Sequence, residues 1–392
     1  MHIGVDARAL IGDISGVGNY LANVLEAGAF DGHAVSAYYD PCADGDTFDL
    51  TVPDGTRFRW QPVTIPEWIE SLGSMSAVWW VNVSLYRRLR TDDVDAFFGP
   101  NFVQPLAFSK PSVVVVHDMV HRRYPETHPT AYHWYLRVFL TASIARADHV
   151  VTVSENTRRD LLDYHDVSAS AVTVASNAAS SAYRPRNLNA TTQARLREEY
   201  DLPEKFLLYV GNIEPRKNLA TLLRALGTFT DDDRPPLVIV GQKHLDDRAF
   251  ARAYCQCSFV DDVTFTGYVE TDDLLLLYNL ATVFVYPSLY EGFGLPALEA
   301  LQSGVAVVTS NHSSLPEVVG EAALTANPEN PESVADAIAR LWTDPARRDE
   351  YRGRGLRRAT QFSWDDTAAT IASVFGSLCC DGRRTKSPVY NS

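Results

Sequence analysis

Long apolar runs are absent from this chain. No stretch reaches the eighteen or so consecutive apolar residues that a membrane-spanning helix needs, so no transmembrane segment is expected. Cysteine is scarce: five in 392 residues, an odd number without metal-ligand spacing. That argues against a disulfide framework and for a reducing compartment. Cys255 with Cys257, and Cys379 with Cys380, read as unpaired neighbours. Positive charge is outweighed, 35 Lys and Arg against 49 Asp and Glu, for a formal net charge of −14. A protein that grips nucleic acid wants a basic face, so no nucleic-acid partner is expected. The opening MHIGVDA reads directly as a strand, with no basic stretch and apolar core ahead of it. No signal peptide is therefore expected, and the expected location is cytoplasmic.

What is present is an alternating pattern. The length is large for one hydrophobic core, and two domains are expected. Residues 1–185 carry short apolar strand candidates: HIGVDA, AVSAYYD, DAFFGP, SVVVVHD and HVVTVS. Helical patterns such as NYLANVLEAGA and AYHWYLRVFLTASIARA lie between them. The polar segment 184–200, RPRNLNATTQARLREEY, reads as a linker. The pattern then repeats over 200–361 with FLLYVG, PLVIVG, VTFTG, ATVFVYPS and VAVVTS. The expected fold class is α/β: two Rossmann-like, doubly wound parallel-sheet domains facing across a cleft. FSWDDTAATIASVF reads as a C-terminal helix within 362–380. The last dozen residues, DGRRTKSPVYNS, have no apolar period and read as disordered.

The most informative stretch is PSLYEGFGLPALEALQSGVAVVTS, residues 287–310. Glu291 falls in the loop after a strand, and Glu299 in the first turns of the following helix. Pro296 suits the first turn of that helix and Gly304 its end. Gly292 and Gly294 clear side chains from the backbone between the two carboxylates. Free N–H groups at a helix N-terminus then form an anion site. Carboxylates on either side of a phosphate site suit a ligand with hydroxyls at both ends, as a nucleotide sugar has. Arg216 and Lys217 follow another strand, with Asn218 placed to cap the next helix. Cations are disfavoured at a helix N-terminus unless an anion sits there, which a diphosphate would do.

Other positions carry weaker signals. Gly16 and Gly18 in SGVGNY are two glycines of a dinucleotide fingerprint and by themselves read as a tight turn. His117 and Asp118 end a fully apolar strand and have reason to point into a cleft; a satisfied structural histidine is the alternative. Arg122 and Arg123 either shape an acceptor site or lie on plain surface. Ser154 reads as a helix N-cap. The triplets Asp44-Gly45-Asp46 and Asp93-Val94-Asp95 read as chance in so acidic a chain, and no metal site is expected. Arg87, Arg88 and Arg90 beside Trp79, Trp80 and Tyr86 read first as a solvated helix face with a buried aromatic side. The second reading is a membrane-surface patch, giving peripheral contact at the inner face of the membrane.

Three stretches carry a family resemblance: Glu291-x7-Glu299 in residues 287–310, YVGNIEPRKNLATLLRAL at 209–226, and SSLPEVVGEAALTANPENPESVADAI at 313–338. Together they resemble the retaining GT-B glycosyltransferases of family 4. The resemblance implies that Arg216 and Lys217 hold the donor diphosphate, and that Gly211 lets their loop approach the sugar. It implies that Glu299 binds the ribose hydroxyls and Glu291 contacts the sugar near its anomeric carbon. Backbone N–H groups around Phe293, Gly294 and Leu295 would hold sugar or phosphate. His117 would hydrogen-bond the transferred sugar, and the Gly16–Gly18 loop would face the cleft. The C-terminal helix would cross back onto the N-terminal domain. No cofactor is implied, the nucleoside-diphosphate sugar being substrate, with a saccharide or lipid-linked saccharide as acceptor. The IGVDAR and GNIEPRKN variants resemble enzymes of bacterial surface polysaccharides, often mannosyl- or rhamnosyltransferases, with GDP-mannose the favoured donor over a UDP- or dTDP-sugar. A phosphorylase of similar fold would need a lysine motif for pyridoxal, which is not seen. A non-catalytic nucleotide-sugar-binding protein is opposed by the intact Arg216, Lys217, Glu291 and Glu299.

Overall fold

The computed structural model describes residues 1–12, 15–43, 45–71, 74–125, 134–241 and 247–380. The chain divides into two compact units. One is Met1–Asn177 with the chain from Ser363 onward, and the other is Ala178–Phe362.

The first unit is built on seven strands: β1 His2–Asp6, β2 Ala34–Tyr39, β3 Arg57–Pro62, β4 Ala96–Gly99, β5 Ser112–Val116, β6 His149–Thr152 and β7 Val172–Val174. Their order is β3-β2-β1-β4-β5-β6-β7 and every ladder is parallel. β4 (AFFG) and β5 (SVVVV) are buried at every position. Continuous burial follows from helices covering both sheet faces. β3 and β7 were not among the strand candidates. Both are edge strands. RFRWQP alternates Arg57, Arg59 and Gln61 with Phe58 and Trp60, and β7 has three residues, so neither shows an apolar run. α1, Gly16–Glu26, starts with the Ser15 hydroxyl accepting from the Gly18 N–H. Gly16 and Gly18 therefore sit in a helical first turn, not in the tight turn expected of them. α2, Glu155–Tyr164, is capped by Ser154, whose hydroxyl accepts from the Thr157 N–H at 3.0 Å. This matches the sequence reading.

The second unit holds β8 Leu207–Val210, β9 Leu237–Val240, β10 Val263–Gly267, β11 Val283–Tyr286, β12 Ala306–Ser310 and β13 Leu324–Ala326. The order is β10-β9-β8-β11-β12-β13, again all parallel. β8 and β11 are neighbours, and the strand order runs outward from them in both directions. The loops after these two strands therefore open at the topological switch point, where parallel sheets gather ligands. Its helices include α3 Leu219–Leu226, α4 Thr271–Leu280 and α5 Leu295–Ser303. The segment expected to be a linker instead holds a helix, Ala190–Glu199, capped by Asn189 accepting from Thr192. Its one buried residue is Leu196, so no apolar stripe announced it. Ion pairs from Arg195 to Glu199 and Asp273 fasten it.

The last helix, α6 Trp364–Cys380, belongs to the first unit. Phe375 is 1% exposed and packs edge-on against Phe30 and Phe98, ring centroids 5.4 and 6.1 Å away. Trp364 meets Tyr20 of α1 at 5.9 Å. Residues 381–392, expected to be disordered, lie outside the described residues, as does Asp44 of the first acidic triplet. Phe375→Ala leaves a cavity in this aromatic cluster and should cost about 3–5 kcal/mol, read from the urea midpoint. A loss below about 1 kcal/mol would mean that α6 is not part of this unit's core.

Candidate active site

The loop after β8 opens at Gly211, whose φ of 142° is glycine territory. A Cβ added to Gly241, after β9, would stand 2.3 Å from the Gly211 carbonyl oxygen, so this approach tolerates no side chain. The chain then makes a single helical turn, Pro215–Lys217, before α3. Asn218 follows in a left-handed conformation, φ 62° and ψ 34°. It occupies the cap position of α3, but no capping bond forms. A capping side chain reaches back from extended backbone, which Asn218 lacks. Its amide instead donates to the carbonyls of Pro287, at 3.1 Å, and Pro328, at 2.7 Å. The expected cap thus becomes a tie between loops. The Leu289 N–H adds a second tie, 2.8 Å to the Arg216 carbonyl.

Those ties bring Glu291 onto Arg216 and Lys217. The Glu291 carboxylate is 3.0 Å from Arg216 Nη1 and 3.1 Å from Lys217 Nζ. The hydroxyls of Tyr286 and Ser288 donate to it at 2.8 and 2.9 Å. Lys217 Nζ also contacts the Tyr286 hydroxyl. Glu214 pairs with Arg216 Nε at 3.0 Å. Glu291 and Lys217 are 7% and 8% exposed. Burial pushes the Glu291 carboxyl up, but Lys217, Arg216 and Tyr286 outweigh it and hold it at about 2. Burial lowers Lys217 from the ordinary lysine value, with Glu291 opposing. The anion that the sequence reading left to a ligand is thus supplied from within the chain. The Glu291 backbone is fixed too. Its carbonyl accepts from Ser313 and Ser314 hydroxyls at 2.7 and 2.9 Å, and its N–H donates to Ser313 Oγ at 3.0 Å.

Three residues on, Gly294 takes φ 101° at the start of α5; a Cβ there would be 2.6 Å from Leu315 Cδ2. Phe293 is buried, and its carbonyl accepts from Ser314 at 2.8 Å. Leu295 is the first residue of α5, where an N–H has no partner within the helix. Glu299 lies one turn further on and accepts from the Tyr278 hydroxyl at 2.9 Å. Burial raises its carboxyl to about 7, with Tyr278, Tyr183 and Lys217 acting the other way.

In the first unit, His117 Nε2 lies 2.7 Å from the Pro100 carbonyl oxygen. A carbonyl only accepts, so in the neutral ring Nε2 carries the proton and Nδ1 is the acceptor. Tyr20 and Phe102 pack edge-on against the ring at 4.9 and 5.5 Å. Burial lowers its pKa, favouring the neutral form. Asp118 accepts from the Val120 N–H at 2.9 Å, closing the loop locally. Arg123 pairs with the buried Asp160, and Arg122 lies over the Tyr164 ring. Asp93 pairs with Lys110, and Asp95 accepts from the His2 N–H, both at 2.7 Å. Among the described residues no group of three or more His, Cys, Asp or Glu is arranged to hold a metal ion.

Residues 74–91 form one helical run with a π-helical stretch, Trp80–Leu85. Trp80 is buried, donates to the Val63 carbonyl at 2.8 Å and stacks under Arg8. Arg88 pairs with Asp92. Arg87 and Arg90 are exposed, and Trp68, 63% exposed, meets the half-buried Trp79. No helix of the described residues is long and apolar enough to cross a membrane.

The second unit thus joins Arg216, Lys217 and Glu291 in one network, with Glu299 on the adjoining helix. Tyr286, Ser288, Ser313, Ser314 and Tyr278 were not anticipated. The polar ending of the strand VFVYPS and the serine pair before LPEVV were the available signals. Residues 14–181 match the family model described as Glycosyltransferase Family 4, and 192–358 that described as Glycosyl transferases group 1. The chain is 36% identical over 285 residues to O-antigen chain mannosyltransferase B of Escherichia coli, covering 72% of this chain and 74% of that one. It is 31% identical over 281 residues to the serotype-specific mannosyltransferase WbdA of Escherichia coli, covering 70% of this chain and 34% of that longer protein. The solved sucrose-phosphate synthase from Thermosynechococcus elongatus aligns over 97% of this chain and 99% of its own, with TM-score 0.73 and 20% identity, a likeness of fold. The chain belongs to the glycosyl transferases group 1, the family 4 glycosyltransferases of GT-B fold.

Proposed function

We propose that this glycosyltransferase moves a hexose, best read as mannose from GDP-mannose, with retention at the anomeric carbon. The acceptor is a saccharide or lipid-linked saccharide in surface polysaccharide synthesis. The observation that carries the reading is the Arg216–Lys217 pair, Lys217 buried and Arg216 half-buried, held on Glu291 at the switch point of the second sheet. The mannose assignment leans on the names of the two Escherichia coli relatives.

The chemistry needs charge stabilised as a diphosphate departs. Arg216 and Lys217 are prearranged donors, so they meet that charge without reorganising at the moment of reaction. The N–H groups at the start of α5 add a helix N-terminus beside them. Glu291 holds both cations before the donor arrives and stays ionised while doing so. With the donor bound it lies beside the sugar, where its carboxylate accepts from sugar hydroxyls. The departing phosphate oxygen takes the proton of the incoming acceptor hydroxyl, so no protein nucleophile is required. Neutral His117, with Nδ1 as acceptor, contacts the transferred sugar. Glu299 receives the ribose hydroxyls. The exposed Arg87 and Arg90, on the helical run that carries Trp79, are read as a surface for peripheral membrane contact, suited to a lipid-linked acceptor.

Nucleoside diphosphate release from GDP-mannose, UDP-glucose and dTDP-rhamnose, with and without a mannan oligosaccharide acceptor, tests the donor. Release should be fastest from GDP-mannose and should rise with acceptor. Faster release from the UDP- or dTDP-sugar would replace the donor, and no release from any would favour a binding protein. Arg216→Ala should lower turnover by on the order of 100-fold, with thermal stability checked alongside; near-normal turnover would sink the phosphate-site reading. Because two cations and a helix N-terminus can balance the diphosphate, EDTA-treated protein should keep most of its activity. Activity lost on chelation and restored by magnesium or manganese would contradict this.

A further inference from the structure

Glu299 is not held by α5 alone. Its carboxylate accepts from Tyr278 Oη of α4 at 2.9 Å, and the same hydroxyl lies 3.5 Å from the Pro296 carbonyl oxygen. Tyr278 is fully buried. Its ring meets Tyr183 edge-on at 5.6 Å, and the Tyr183 hydroxyl reaches the same carboxylate. Tyr183 lies on a segment fastened to both helices. Gln302 Nε2 of α5 donates to the Ser180 and Tyr183 carbonyls at 2.7 and 2.8 Å. Asn279 of α4 accepts from the Arg186 N–H at 2.7 Å and donates to the Arg184 carbonyl at 3.2 Å. The segment is thus pinned on either side of Tyr183, and both hydroxyls converge on one carboxylate.

We propose that Tyr278 and Tyr183 are positioning residues of the donor site, holding the Glu299 carboxylate in the orientation that accepts from a nucleoside's ribose hydroxyls. This rests on the reading of Glu299 as the ribose-binding residue. A rigidly held acceptor loses less freedom on binding than a mobile one. The two hydroxyls also set when the carboxylate is charged. Burial raises Glu299 to about 7, while Tyr278, Tyr183 and the more distant charge of Lys217 draw it down. No other charged residue lies on α5. Since ionised Glu299 is the better acceptor, nucleoside diphosphate affinity should rise as pH increases through about 7. Removing a tyrosine hydroxyl takes away a donor that favours the charged form, so the midpoint moves upward.

The test is GDP and UDP affinity by calorimetry from pH 6 to 9 for the wild type, Tyr278→Phe, Tyr183→Phe and Glu299→Gln. Phenylalanine keeps the packing and deletes the hydroxyl. If the midpoint rises by about one unit, Tyr278→Phe binds about fivefold more weakly at pH 7; by pH 9, where Glu299 is charged in both proteins, the gap narrows to the smaller loss left by a less firmly held carboxylate. Tyr183→Phe should shift the same way, and Glu299→Gln should be weak and flat with pH. Wild-type affinity in Tyr278→Phe at every pH, or a constant loss at every pH with lowered thermal stability, would overturn the positioning role. If Glu299→Gln binds as the wild type does, the ribose reading falls and this proposal with it. If the wild type binds neither nucleotide, the donor-site reading itself fails.

Discussion

Four charged side chains, Glu214, Arg216, Lys217 and Glu291, meet where β8 and β11 end, and their charges sum to zero. Glu291 and Lys217 are buried there, and removing such groups from water costs several kcal/mol per ion even after the protein relaxes. That cost is offset only if every charge finds good partners. Here the Glu291 carboxylate has two cations and two hydroxyls, and its backbone is fastened by Ser313 and Ser314. Much of the local architecture exists to keep this geometry. The left-handed Asn218 ties the two loops, Gly241 and Gly294 permit approaches that a Cβ would block, and Gly211 takes a φ of 142° that side-chain-bearing residues rarely adopt. Breaking one partner leaves an uncompensated buried charge, so the network is stable as a whole and intolerant in its parts.

The same arrangement connects stability to function. Glu291 occupies the cations before a substrate does, so they are already oriented and desolvated. On the proposed reading, a diphosphate then competes for donors whose reorganisation is complete, the condition under which electrostatic stabilisation is strongest. His117 shows a similar economy in the first unit. Its Nε2 is committed to the Pro100 carbonyl, which leaves Nδ1 as the acceptor and burial to keep the ring neutral.

Strands buried on both faces were legible as apolar runs, and β4, β5, β8, β11 and β12 were each read from them. The edge strands β3, β7 and β13 were not, because an edge strand needs no continuous apolar surface, and two of the three are only three residues long. The helix Ala190–Glu199 was hidden for a related reason: a cap and ion pairs hold it, and only Leu196 is buried. At the site, the spacing of Glu291 and Glu299 and the Arg216–Lys217 pair could be picked out as residues of interest. That Glu291 is the partner of both cations could not, since it depends on loops 74 or more positions apart meeting at a switch point. Asn218 was assigned a cap from its residue type, and its backbone conformation overruled that.

The most direct measurement is an experimental structure of the protein with GDP bound. The β-phosphate should lie within hydrogen-bond distance of Arg216 and Lys217, beside the first N–H groups of α5, with the ribose hydroxyls on Glu299. A diphosphate bound elsewhere, with both cations still held only by Glu291 and Glu214, would contradict it.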